Sequence, residues 1–274
     1  MESSLAVAQA KYWHLKQVAL FADLAGTDVC QISEHFDTEL VEAGKHIYQF
    51  GDLANCLYVL KSGRIKITRT SDDGKEFILY FISPGEIFGK LAITGKERRS
   101  CTATVVDDAF ICTVDQSEFE RFMRRHPEVS LEVARVIGRR KECTEKRVLD
   151  LISKDVRTQL AHTLVDLARD YGEQERRGVR IDLRLTQSDL AQLVGSTRET
   201  TSTVFNEFRR DNLVDSEGKT IWVLDPEALG GYAWGPGVRR SRQSTTSPRR
   251  STLPCAQSPA VSIATAPRVA SESC

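Results

Sequence analysis

The stretch "LTQSDLAQLVGSTRETTSTVFNEFRRDNLV", residues 185–214, decides how this chain is read. Thr186 is a suitable helix N-cap, and Asp189, at the third helical position, supports the same helix end. Gly195 then offers a tight turn. Ser196, with Glu199 three residues on, reads as a capping box that opens a second helix. Two caps separated by a glycine specify two short helices meeting at an angle. On a wheel of about 100° per residue, Arg198, Glu199, Ser202, Thr203, Asn206, Arg209 and Arg210 share an arc of roughly 140°. Thr197, Thr200, Thr201, Val204, Phe205 and Phe208 take the other side. One face is therefore built for packing and the other for hydrogen bonding, a division that a helix in the DNA major groove needs. Arginine bonds guanine O6 and N7 bidentately and glutamate accepts from cytosine N4. Both stand in the first turn, which reaches base edges. The plainer alternative is an ordinary amphipathic hairpin in which Glu199 serves only as a capping acid.

The flanks give that hairpin a setting. Downstream, "LVDSEGKTIWVLD" (213–225) has two alternating arms around Ser-Glu-Gly, a small β-hairpin. Upstream, "DVRTQLAHTLVDLARDYG" (155–172) is a helix with Leu160, Leu164 and Leu167 on one stripe and Gly172 as its stop. "GVRIDLRL" (178–185) is a short strand candidate. Helix, strand, helix–turn–helix, hairpin is the order of a winged helix–turn–helix. Ahead of it, Pro127 opens a helix expected from Glu128 to about Lys154. Its positions Ala134, Ile137, Lys141, Thr144, Val148 and Leu151 repeat at 3-4-3-4-3, a coiled-coil seam with a polar centre. That centre either sets register or adjoins a ligand.

Between Leu40 and Val114 the texture is different. "KHIYQFGD", "CLYVLKSGRIKITRTSDDGKEFILYFISPGEIFG" and "CTATVVDDAFICTVD" are short alternating runs punctuated by glycine. "RIKITRT" and "EFILYFI" flank "SDDG", a hairpin signal. Six or more short strands with no helices between them imply an antiparallel sandwich or jelly roll of roughly 80 residues. Short amphipathic helices precede it within 12–36. Beyond Trp234 the chain becomes Ser, Thr, Pro, Arg and Ala without periodicity and is expected to be disordered, either inert or adding nonspecific DNA affinity.

Composition bounds the remaining choices. Of 274 residues, 41% are hydrophobic and 28% charged, which is ordinary for a globular protein. No apolar run approaches a membrane span. The N-terminus lacks a basic start and a long apolar segment, so a cytoplasmic location is expected. The seven cysteines, at 30, 56, 101, 112, 143, 255 and 274, form no C-x-x-C pair, which speaks against a disulfide framework and a local metal knot. The formal net charge is zero, so DNA binding needs a local surface rather than a basic body. No phosphate loop, metal triad or nucleophile motif points to an enzyme.

"LTQSDLAQLVGSTRETTSTVFNEFRRDNLV…GKTIWV" resembles the DNA-binding domain of the Crp/Fnr family of bacterial transcription regulators, and the likeness covers about residues 15–232. The glycine-punctuated roll with "PGEIFG" and the long helix belong to it. The resemblance implies an α+β fold with an N-terminal antiparallel β-roll or jelly roll of the cyclic-nucleotide-binding type, a long dimerisation helix and a C-terminal winged helix–turn–helix. The corresponding segments are 12–126, 127–155 and 156–232, with 233–274 as the tail. It further implies a homodimer on a two-fold-symmetric operator that recruits or blocks RNA polymerase.

Position by position, Arg198 and Glu199 match the family's base-reading pair. Ser202 and Thr203 fall at positions where the best-studied members carry glycine and a second arginine, so part of the half-site code differs. Thr186, Gln187, Thr197 and Thr200 match phosphate contacts. In the sensor, "IFGKLAITGKERRSCTATV" matches the nucleotide-phosphate stretch at Gly89, Leu91 and Ala92. Lys90 stands where the ribose-binding glutamate is found, and a cation there cannot accept the ribose hydrogen bond. Arg99–Ser100 matches the phosphate-binding pair in a shifted register; aligning on "C-T-A-T-V" puts Cys101 in the arginine's place. Thr144 matches the helix position that touches the base across the dimer. The effector is thus cyclic AMP, or another anionic molecule held by Lys90 with Arg98 or Arg99, or none. Haem through His35 or His46 is the weaker family mode. The competing reading is a cyclic-nucleotide-type module that regulates a partner protein without sequence-specific DNA binding.

Overall fold

A computed structural model describes residues 15–16, 18–89 and 98–232. These divide into two compact units. One holds the residues up to Gly74 together with Leu79–Arg139; the other holds Lys75–Ile78 together with the residues from Arg140 to 232.

The first unit begins with a helical turn, Ala19–Phe21, and helix α1, Gly26–Ser33. A six-stranded antiparallel sheet follows: β1 (Phe36–Val41), β2 (His46–Tyr48), β3 (Cys56–Thr70), β4 (Glu76–Ile82), β5 (Ile87–Gly89) and β6 (Thr102–Asp115). The order β1-β6-β3-β4, with β2 on β6 and β5 on β3, curls the sheet around Leu60, Ile65, Ile67, Ile82, Phe88, Val105 and Ile111.

The strands are not all short. "CLYVLKSGRIKITRT" is one strand of 15 residues and its partner β6 has 14. Register shifts between Leu60 and Ile65 bend the pair instead of breaking it. Gly63 makes that possible: its φ is +90°, and an added Cβ would lie 2.4 Å from the Asp108 carbonyl oxygen. A second core joins α1, the outer strands, helix α2 (Gln116–Arg125) and the first part of helix α3 (Pro127–Ser153) through Phe21, Phe36, Phe119, Phe122, Val129 and Val133.

The second unit starts within α3. At the corner after Ser153, Asp155 accepts from the Thr158 N–H as the N-cap of α4 (Val156–Tyr171). The buried Gln159 amide donates to the carbonyls of Asp150, Leu151 and Lys154, satisfying the end of α3. Lys154 bridges Asp150 at 2.6 Å and donates to His162 Nδ1 at 2.7 Å. Leu160, Leu164 and Leu167 are buried, as their stripe requires.

Helices α5 (Gln187–Val194) and α6 (Arg198–Arg210) form the helix–turn–helix. The sheet beside them has four strands, one more than the expected strand and hairpin, in the order β7-β8-β10-β9. These are β7 (Gly172–Glu175), β8 (Gly178–Ile181), β9 (Val214–Glu217) and β10 (Thr220–Val223). Gly172 does not merely stop α4; it opens β7, and the strand expected over 178–185 closes at Ile181. A short helix, α7 (Pro226–Tyr232), returns to α4 and buries Leu229. No helix among the described residues is long and apolar enough to cross a membrane.

Candidate functional site

The DNA-facing candidates are assembled by helix caps. Thr186 and Asp189 make a reciprocal capping box at α5: the hydroxyl accepts from the Asp189 N–H and the carboxylate accepts from the Thr186 N–H. Gly195, at φ +66°, ends α5 in the left-handed region, its N–H and that of Ser196 both donating to the Ala191 carbonyl.

That use of Ser196 corrects the reading of the second cap. Ser196 closes the first helix, and the N-cap of α6 is Thr197, whose hydroxyl oxygen accepts from the Thr200 N–H at 3.1 Å. The expected capping box of Ser196 with Glu199 does not form. Glu199 is therefore not a capping acid, and neither its side chain nor that of Arg198 has a hydrogen-bond or ion-pair partner among the described residues. Both are exposed.

The rest of α6 divides by face. Thr201, Phe205 and Phe208 are buried against α4 and α5, while Arg198, Glu199, Thr203, Asn206, Arg209 and Arg210 are exposed and Ser202 is half-buried. Thr197 and Thr200, on the packing side of the wheel, are exposed because they belong to the first turn, with nothing packed over it. Thr203 donates its hydroxyl to the Glu199 carbonyl at 3.0 Å, leaving an acceptor lone pair and a methyl group for any outside contact. Arg209 is drawn sideways: its Nε donates to Asp215 of β9 at 2.8 Å. Asp215 also pairs with Arg177, whose guanidinium lies 4.6 Å from the Trp222 ring centroid. Glu207 pairs with Arg157 of α4. Arg147 of α3 donates to the Leu193 carbonyl at the end of α5; burial lowers its pKa to about 10, so it stays charged at neutral pH. The Arg147 anchor and the Arg177–Asp215 pair were not visible in the sequence, because they join residues 46 and 38 positions apart.

In the roll, the structure separates Arg99 from Arg98. Arg98 is exposed and donates to the Gly51 carbonyl at 2.7 Å. Arg99 is 3% exposed, with its guanidinium 4.3 Å from the Tyr48 ring centroid and 5.3 Å from that of Tyr58. Nη2 donates to the Cys56 carbonyl at 2.7 Å, whereas Nε and Nη1 are buried without an acceptor among the described residues. Gly89, at φ +103°, gives Nη1 room: a Cβ there would lie 3.1 Å from it.

Of the two arginines, the inward one is therefore Arg99. Cys101 is half-buried, its sulfur 4.0 Å from the Tyr48 hydroxyl, and burial raises both the thiol and the Tyr48 phenol above their ordinary values. Burial also raises the Cys56 thiol. Neither is an activated thiolate. Ser100 is exposed, and Thr144 is exposed on α3 with its hydroxyl donating to the Arg140 carbonyl. Lys90, Leu91 and Ala92 lie outside the described residues. The haem candidates are engaged at the surface, His46 with Thr104 at 2.9 Å and His35 facing Glu118 at 3.6 Å. No group of potential metal ligands occurs among the described residues. The aromatic stack of Tyr48, Tyr58 and Phe88 around the arginine was missed in the sequence, since strand register decides which alternating residues meet.

Comparisons with known proteins agree with this geometry. A cyclic nucleotide-binding domain family matches residues 38–126, and a Crp-like helix-turn-helix domain family matches residues 158–232. The CRP-like cAMP-activated global transcriptional regulator of Mycobacterium tuberculosis is 29% identical over 215 residues, 78% of this chain and 96% of its own length. The global nitrogen regulator of Synechocystis is 28% identical over 193 residues, 70% of this chain and 86% of its own. Among solved structures, the c-di-GMP responsive global regulator CLP of Xanthomonas campestris superimposes with a TM-score of 0.66 at 21% identity, covering 73% of this chain and 99% of that one, a likeness of fold. With both domains matched in order and the helix–turn–helix presenting its polar face, the chain belongs to the Crp/Fnr family of DNA-binding transcription regulators, which are not enzymes.

Proposed function

We propose that the chain acts as a homodimer on a two-fold operator, with one α6 of each protomer in the major groove. Arg198 reads guanine and Glu199 accepts from cytosine, while Ser202 and Thr203 supply weaker or water-mediated contacts. Thr186, Gln187, Thr197 and Thr200 face the phosphates, where the first N–H groups of α5 and α6 suit an anion. The observation that carries this reading is that Thr197 caps α6, which leaves the Arg198 and Glu199 side chains exposed and without a partner among the described residues. Selection from randomised duplexes tests it. Arg198→Ala is expected to cost about 1–3 kcal/mol per half-site and to relax one base pair. Unchanged preference in that variant refutes the assignment.

For the sensor, Arg99 is the group that fits an anion, because a buried guanidinium whose Nε and Nη1 have no acceptor among the described residues is costly until one arrives. A cyclic nucleotide would present its phosphate there; Lys90 offers no acceptor for the ribose, so another anionic effector suits the same arginine. Gly89, Ser100 and Cys101 surround that position in sequence, and Thr144 is assigned to the base-contacting side by family likeness alone. Calorimetry with cyclic AMP at millimolar concentration distinguishes the two ligand classes. A bound effector would set the spacing of the two α6 helices and so the engagement of DNA and RNA polymerase.

A further inference from the structure

Asn206 stands apart on the polar face of α6. It is exposed, and its side chain has no hydrogen-bond partner among the described residues; only its backbone carbonyl is used, by Arg210 Nε at 3.4 Å. Its neighbours on the helix are otherwise occupied: Glu207 by Arg157 and Arg209 by Asp215. At about 100° per residue, Asn206 lies only about 20° from the direction of Glu199, between Ser202 and Thr203 and near the middle of the arc. Arg198 and Arg209 both lie to one side of Asn206, by roughly 80° and 60°. Glu199, Ser202, Thr203 and Asn206 are spaced i, i+3, i+4, i+7, the stripe that a recognition helix presents along the floor of a major groove.

We propose that Asn206 is a further base-reading residue and that it recognises adenine; the proposal rests on the DNA-reading role of α6 given above. The carboxamide donates its N–H to adenine N7 and accepts from the N6 amino group, a bidentate pair that no other base offers in the major groove. Seven residues at about 1.5 Å each carry it about 10 Å beyond Glu199, roughly three base-pair steps of about 3.4 Å. Arg209 cannot compete for that position while Asp215 holds it against the wing.

The test is binding-site selection with the full chain as wild type, Glu199→Ala and Asn206→Ala, followed by titration of the selected duplexes over a range of salt. Wild type is expected to enrich an adenine about three base pairs from the position that Glu199→Ala relaxes. Asn206→Ala is expected to lose discrimination there by about 5- to 150-fold while keeping every other position and the salt slope. If Asn206→Ala enriches the same sequence with a shallower salt slope, the residue is a phosphate contact and the proposal fails. Unchanged sites and unchanged affinity overturn it equally. A wild type that enriches no common sequence overturns the DNA-reading role itself, an outcome distinct from the other two.

Discussion

At the scale of single residues, the most informative side chain in the sensor is Arg99, because its environment is expensive for a purely structural arginine. Removing one partner of a satisfied buried charge costs about 3–5 kcal/mol, whereas replacing an unsatisfied charge with an apolar group is often neutral or stabilising. Among the described residues, Arg99 has one hydrogen bond, two ring contacts and two unanswered donors. Arg99→Met is therefore expected to leave the ligand-free melting temperature within a few degrees of wild type while abolishing any rise on adding cyclic AMP, cyclic GMP or inorganic phosphate. A large drop in the ligand-free protein would mean that the arginine is a structural strut. In the sequence, Arg99 and Cys101 are alternative matches to the phosphate-binding arginine. Which of the adjacent Arg98 and Arg99 turns inward is set by backbone bonds of Arg99 to Gly51 and Asp52, 48 and 47 positions away. The aromatic rings over it were legible as alternating residues of "YQFGD" and "CLYVLKSG", but not as a cage.

At the scale of elements, local signals located helices well and their first residues less well. The capping box of Thr186 and Asp189 and the glycine at 195 were legible because each acts within a few residues. The cap of α6 moved by one, since Ser196 was claimed by the closing turn of α5, a competition that a window on either helix alone does not reveal. Strand β7, "GEQE", carries four exposed residues and no alternation, so nothing in it announced a strand; its partner β8 holds it. Helix α4 shows what a local signal contributes to energy. Asp155 caps it, and the backbone N–H of Thr158 holds its carboxyl below the usual carboxylate range. A pKa lowered in the folded state gives stability that is present above the unfolded value of about 3.9 and is lost as pH falls through the folded one. Asp155→Ala is expected to cost about 1 kcal/mol in urea denaturation at neutral pH, with wild type and variant converging below about pH 4. A difference that persists undiminished at pH 3 would show that the carboxylate's charge contributes nothing.

At the scale of the whole molecule, the open question is what covers α3. Its seam was read from the 3-4 spacing, and in the single chain Ile137, Val148 and Leu151 are 44%, 47% and 38% exposed, with Leu149 and Ile152 beside them at 66% and 79%. Isolated apolar residues on a surface need no explanation, but a strip along one helix does. Burying what is still exposed of these three side chains on each of two protomers yields about 4–8 kcal/mol, against a cost of association of about 4–15 kcal/mol, so the seam needs further buried area beside it, such as Leu149 and Ile152. The proposed dimer would cover this strip, with the polar Lys141 and Thr144 at its centre. Ile137→Lys with Val148→Lys would place four cations along that seam and is expected to give a monomer in sedimentation with its circular dichroism unchanged. The consequence for DNA follows from counterion release. A dimer neutralises the phosphates of two half-sites, and log affinity falls against log salt in proportion to the phosphates contacted. The monomeric variant is expected to bind a single half-site with about half the wild-type salt slope and to gain nothing from the second. A variant that stays dimeric would move the seam elsewhere on the chain. A monomer that kept the full slope would mean that one copy of α6, with its wing and caps, makes every phosphate contact alone.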